Sequence, residues 1–113
     1  MPEDVLKEEL LSVGQAMGGI LGTSIVTTFE GVENDSRCPV DVTCIKAGEA
    51  FVRLSFRDGD EVGELTIEVP RDSSATATYS LLHIGILNLD PLPLLTEPIP
   101  QSRYQLLIRL TVP

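Results

Sequence analysis

Two cysteines and the charged residues around them hold the densest chemistry in the chain. Cys38 and Cys44 stand six residues apart, with Pro39 directly after the first. A thiol pair can exchange electrons, bind metal or cross-link. The Cys-x5-Cys spacing is not the Cys-x-x-Cys of thioredoxin-type redox sites. Two cysteines alone do not make a zinc site, and the single histidine, His83, lies far along the chain. A structural disulfide between Cys38 and Cys44 is therefore expected. Closing a loop of about seven residues contributes roughly 2.4 kcal/mol in the chain-entropy model, so its main effect is on local shape. Such a bond points to an oxidising compartment.

Glu33, Asp35, Asp41 and Glu49 surround the pair. Three carboxylates on a rigid loop can hold Ca²⁺, which takes oxygen ligands. The EF-hand spacing is absent, however. The ordinary alternative has Asp35 capping a turn and pairing with Arg37, and Glu49 at a solvated strand start. No metal-ligand set is assigned. Arg37 lies between the turn at Asp35-Ser36 and the disulfide. It either presents its guanidinium to a partner or clamps loop carbonyls and Asp35 from inside, and of the two the clamp is expected. Gly48 is expected at a positive φ or where a side chain would clash.

His83 sits among Leu81, Leu82 and Ile84, and a structural role is expected for it. Ser80 lies three residues away, which on a strand is the opposite face. No Gly-x-Ser-x-Gly or His-Glu-x-x-His occurs. No catalytic or cofactor-binding residue is assigned, and the chain is not expected to be an enzyme.

The stretch Asp35-Ser36-Arg37-Cys38-Pro39-x-x-Val42-x-Cys44-Ile45-x-Ala47-Gly48-x-Ala50 resembles the signature of a family of small bacterial β-domains. Many members are secreted or lipid-anchored, and no activity is firmly attached to them. The segment Asp90 to Pro93 and the strand led by Tyr104 are also similar. At Lys46 this chain departs from the family, where an aromatic residue is frequent. The resemblance implies a small β-fold and an extracytoplasmic place. It implies no function.

These residues must be positioned by strands. Ala50 to Arg57 alternates strictly, with Ala50, Val52, Leu54 and Phe56 on one side. Asp58-Gly59 is a hairpin signal, followed by Glu64 to Val69 with Leu65, Ile67 and Val69 inward. Pro70 ends that strand. Ser24 to Val32 is rich in β-branched residues. Thr76 to Leu89 reads as one long strand or two short ones. Its apolar register slips near Gly85, where a bulge is expected. Tyr104, Leu106, Ile108, Leu110 and Val112 share one face of the last strand. Val5 to Val13 fits a helical stripe after Pro2, Glu3 and Asp4, or a strand ending at a Gly14-Gln15 turn, and the family resemblance favours the strand. Gly14 to Gly22 holds four of the nine glycines and reads as loop or loose edge. Asp90 to Pro100 carries Pro91, Pro93, Pro98 and Pro100 and reads as an extended connection.

The sum is an all-β chain, an antiparallel β-sandwich or small open barrel of six to seven strands with one short disulfide loop. Residues 1–113 form a single domain. A hydrophobic fraction of 42% argues for a folded globule, and 4% aromatics means a core of Leu, Ile and Val. The net charge of −9 disfavours nucleic acid and an anionic membrane surface. No apolar run reaches the roughly 18 residues of a membrane helix. The acidic start, Met1 to Asp4, does not read as a signal peptide, so if family members are exported this chain is either trimmed at its start or an exception.

Three functions follow as expectations. The first is a non-enzymatic, extracytoplasmic binding module, periplasmic, cell-surface or secreted, monomeric, with a protein or cell-envelope partner. Its interaction loop runs from Asp35 to Gly48 and uses Asp35, Arg37, Asp41 and Lys46, with Pro91 to Pro100 as second choice. The second is an inhibitor of a secreted protease that presents the disulfide-tethered loop. The third is a Ca²⁺-linked structural or adhesion domain. Against all three stands a scaffold reading, in which Arg37 clamps, Gly48 turns, and Val42 and Ile45 fill the core.

Overall fold

A computed structural model describes residues 5–18 and 24–112. The acidic start at Met1 to Asp4, and Gly19 and Gly22 of the glycine-rich stretch, lie outside the described residues. Eight strands follow in order: β1 (Val5–Ser12), β2 (Ala16–Met17), β3 (Val26–Glu33), β4 (Glu49–Asp58), β5 (Glu61–Pro70), β6 (Ala75–Tyr79), β7 (Leu82–Asp90) and β8 (Gln105–Val112). One 3₁₀ turn, Gln101–Arg103, precedes β8. Two antiparallel four-stranded sheets pack together as a β-sandwich, in the orders β1-β8-β7-β6 and β2-β3-β4-β5.

The count of eight corrects the expected six to seven. The added strand is β2, two residues that pair Ala16 with Thr28 and Met17 with Thr27. Two residues carry no period, so alternation cannot reveal them. The first segment is a strand, β1, in full register with β8. The stretch 76–89 is two strands, divided by a turn at Ser80 and Leu81. Its register shift falls between Ile86 and Asn88 rather than at Gly85. The extra residue is Leu87, which lets both Ile86 and Leu89 point inward.

The inward faces are those that alternation marks. Ala50, Val52, Leu54 and Phe56 of β4 are buried against Ile84, Ile86, Leu106, Ile108 and Leu110 of the facing sheet. Each such aliphatic side chain contributes about 1.5–3 kcal/mol by leaving water. The Tyr79 ring stacks on Phe56, with centroids 4.1 Å apart, and ties β6 to the opposite sheet. The two long connections, 34–48 between β3 and β4 and 91–104 between β7 and β8, meet at one end of the sandwich. There Val40 N donates to Pro93 O at 3.0 Å.

Candidate functional site

The β3–β4 connection has a root and a tip. At the root Arg37 is 3% exposed, one of two buried polar residues in the described chain. Its Nε donates to Asp35 Oδ1 at 2.8 Å and its Nη2 to Asp35 Oδ2 at 2.7 Å. Nη1 reaches Leu89 O at 2.7 Å, and Nη2 also reaches Pro91 O at 2.8 Å. A planar fork with five donors suits this task, because it can grip a carboxylate and two carbonyls at once. The side chain thereby fastens the loop to the end of β7 and the start of the proline-rich connection.

Tyr104, at the entrance to β8, completes the cluster. Its hydroxyl donates to Asp35 Oδ2 at 2.8 Å. Burial alone would push the Asp35 carboxyl up. The hydrogen bonds from Arg37 and Tyr104, with the Arg37 charge, outweigh it and hold the carboxyl below its ordinary value. Burial, then the bond to Asp35, pushes the Tyr104 phenol up to about 12.

Backbone bonds close the root. Ser36 N donates to Glu49 O at 2.8 Å, and Cys38 N to Ala47 O at 2.6 Å. Arg71 Nε holds Cys38 O at 2.8 Å. Gly48 has φ +81°, and a Cβ there would run into the Ser36 carbonyl. Glycine is required at that position on both grounds.

The tip is different. Cys38 and Cys44 are joined in the expected disulfide, with Cα atoms 5.9 Å apart, inside the usual range. Asp41, Thr43, Cys44, Lys46 and Ala47 are all exposed. Ile45 is 103% exposed, as free as a side chain in an extended peptide. The scaffold reading that sends Val42 and Ile45 to the core is therefore wrong for both, Val42 being half-buried outside the core cluster, while its assignment of Arg37 as a clamp holds. Among the described residues, no backbone–backbone hydrogen bond engages Thr43 to Lys46. Asp41 turns toward the proline-rich segment, where its Oδ1 accepts from Leu95 N at 3.1 Å. Between the loop and that segment lies an open groove of about 440 Å³, lined by Asp35, Pro39, Leu94, Leu95, Ile99 and Tyr104.

Of the four residues singled out from sequence, Asp35 and Arg37 form one inward cluster and Asp41 and Lys46 stand outside it. Sequence reasoning did not find Tyr104 as the third member of the cluster, 69 residues from Asp35. Nor did it find Ile45 as a presented side chain. Three of the four carboxylates considered for Ca²⁺ are spent separately. Asp35 is held by Arg37 and Tyr104, Asp41 by Leu95, and Glu33 lies 3.5 Å from Arg53. Among the described residues no three acidic, histidine or cysteine side chains group as a metal site. His83 lies on the outer face of its sheet, exposed, opposite Thr78 and Thr111.

The fold and this loop define the class: an antiparallel β-sandwich with a disulfide-tethered loop presented at one end. Compared with known proteins, the chain matches no family model, no curated protein and no solved structure.

Proposed function

We propose that the protein is a non-enzymatic binding module of an extracytoplasmic compartment, and that it contacts its partner with the tip of the disulfide loop. The observation that carries this is Ile45, a large apolar side chain left wholly in water on a loop whose root is locked. Burying it against a partner is worth about 1.5–3 kcal/mol. A tethered loop has little ordering entropy left to lose on binding. Val40, Leu94 and Leu95, exposed at the same end, extend the apolar surface, and Asp41 and Lys46 give it a polar border. Asp35 and Arg37 serve this surface by holding it. The disulfide supports the compartment, since such bonds persist where the surroundings are oxidising.

The test places a photoreactive benzoylphenylalanine at position 45 and irradiates the protein with cell-envelope extract of the source organism. A discrete adduct is expected. Excess wild-type protein should suppress it and excess Ile45→Asp should not. Equal competition by Ile45→Asp, with unchanged melting temperature, would remove the tip from the contact.

The free backbone of Thr43 to Lys46 favours one second reading, an inhibitor of a secreted protease. A protease binds such a substrate-like segment through its main chain. Titration against trypsin-, chymotrypsin- and elastase-type enzymes decides it. Cleavage after Ile45 or Lys46 without inhibition would discard it.

A further inference from the structure

The sandwich has four edge strands, and they are not equally defended. β1 carries Lys7, Glu8 and Glu9, β5 carries Glu61, Glu64 and Glu68, and β2 is only two residues long. β6 reads Ala75-Thr76-Ala77-Thr78-Tyr79, with no charge, no proline and no register shift against β7. The uncharged run extends from Ser73 to Leu89. Soluble proteins normally blunt an edge with charge, proline or a bulge, because its free N–H and C=O groups are a template for another strand.

The register identifies those groups. Tyr79 and Leu82 close a two-residue turn, so Tyr79, Ala77 and Ala75 bond to β7. The N–H and C=O of Thr76 and Thr78 then face outward, and both residues are exposed. Among the described residues, nothing from Ser74 to Ser80 makes a hydrogen bond outside strand pairing. Beside the edge, the outer face dips into a shallow trough of about 630 Å³ over Gly85, bordered by Thr76, His83, Leu87, Arg109 and Thr111. A side chain of an added strand can lie across it.

The geometry points to β6 as a strand-addition site that takes an extended basic peptide. Charge selects the occupant. β5 is the edge of the other sheet on the same flank, and Glu61 at its start is exposed and forms no ion pair among the described residues, while Glu64 and Glu68 lie on the outer face of that sheet. Asp58 and Asp60 lie at the same end of that flank as Glu61, and Asp72, paired with Arg71, lies at the other, in a chain of net charge −9. A field of that sign draws in lysine and arginine and resists a second copy of the same chain. Pairing β6 with another β6 would also bury only a five-residue edge, well short of the roughly 1,000 Å² a specific dimer needs.

The experiment uses the intact protein and a peptide of alternating valine and threonine with paired lysines at each end. Titration is followed by amide NMR shifts and hydrogen exchange. Thr76 and Thr78 amides should shift and gain protection. The same peptide ended with glutamates should bind at least about tenfold weaker, and so should the lysine peptide with Thr78→Lys. Thr76→Pro removes one outward donor. Thr78→Lys leaves every β6–β7 bond in place and serves if the proline loosens the hairpin. Binding elsewhere, equal binding of both peptides, or no shift at Thr76 and Thr78 overturns the proposal. So does self-association that protects these amides without peptide.

Discussion

Asp35–Cys38 and Val40–Lys46 are neighbours in one loop and share one disulfide, yet they sort opposite to their chemistry. In the first, a charged residue goes inside: Arg37 is buried with four hydrogen bonds from its guanidinium. In the second, an apolar residue stays outside: Ile45 is fully exposed. The reason is local. Arg37 finds a carboxylate and two strand-end carbonyls at the spacing of its fork, so burial leaves few donors unmet. Ile45 lies between Cys44, held by the disulfide, and Ala47, whose carbonyl is taken by Cys38 N. So short a loop gives it no route back to the core. A dense motif can therefore be part scaffold and part presented surface, and each residue has to be assigned separately.

The comparison is broken most severely by Arg37→Ala. It leaves the Asp35 carboxylate half-buried without its cation, and should cost about 3–5 kcal/mol in urea unfolding. Ile45→Asp at the tip should change stability by no more than about 0.5 kcal/mol. Similar losses at both positions would erase the distinction between root and tip.

The disulfide links the two regions, so the double variant Cys38→Ser/Cys44→Ser sharpens the contrast. It should cost about 2 kcal/mol, less than Arg37→Ala, with the β-sheet circular dichroism retained. A larger loss than that of Arg37→Ala would make the cross-link, not the guanidinium, the main anchor of the root.

Tyr104→Phe is the smallest change within the root, about 1–2 kcal/mol near neutral pH. Its signature is in pH. The folded-state value of Tyr104 is raised from 10.0 to about 12, so its contribution is complete below 10 and is lost as pH climbs to about 12. Wild type should lose this increment across that window and Tyr104→Phe should not. Asp35 runs the other way. Its value is lowered, so its contribution is present above the ordinary carboxylate value of 3.8 and disappears as pH falls through the folded value.

Much of the fold was legible because strands half-buried on one face must alternate, and β4, β5 and β8 do so without a break. β2 was not, being too short to show a period, and the bulge was misplaced because Gly85 is the residue that usually marks one. At the site, Cys38–Cys44, the Arg37 clamp and Gly48 followed from spacing and residue type. Tyr104 did not, because its approach to Asp35 depends on how the two long connections fold over one end of the sandwich. The exposure of Ile45 was hidden for the opposite reason, since its residue type argues for the core.

The most direct test of the division between root and tip is native-state hydrogen exchange, amide by amide, with no ligand or variant. The amides of Ser36 and Cys38 are bonded to Glu49 O and Ala47 O, whereas among the described residues no backbone bond protects those of Ile45 and Lys46. Ser36 and Cys38 should exchange only through large openings, with protection approaching that of β4 and β8. Ile45 and Lys46 should exchange close to the rate of an unstructured peptide. Uniform protection along 36–46, or uniform lack of it, would contradict a locked root carrying a free tip.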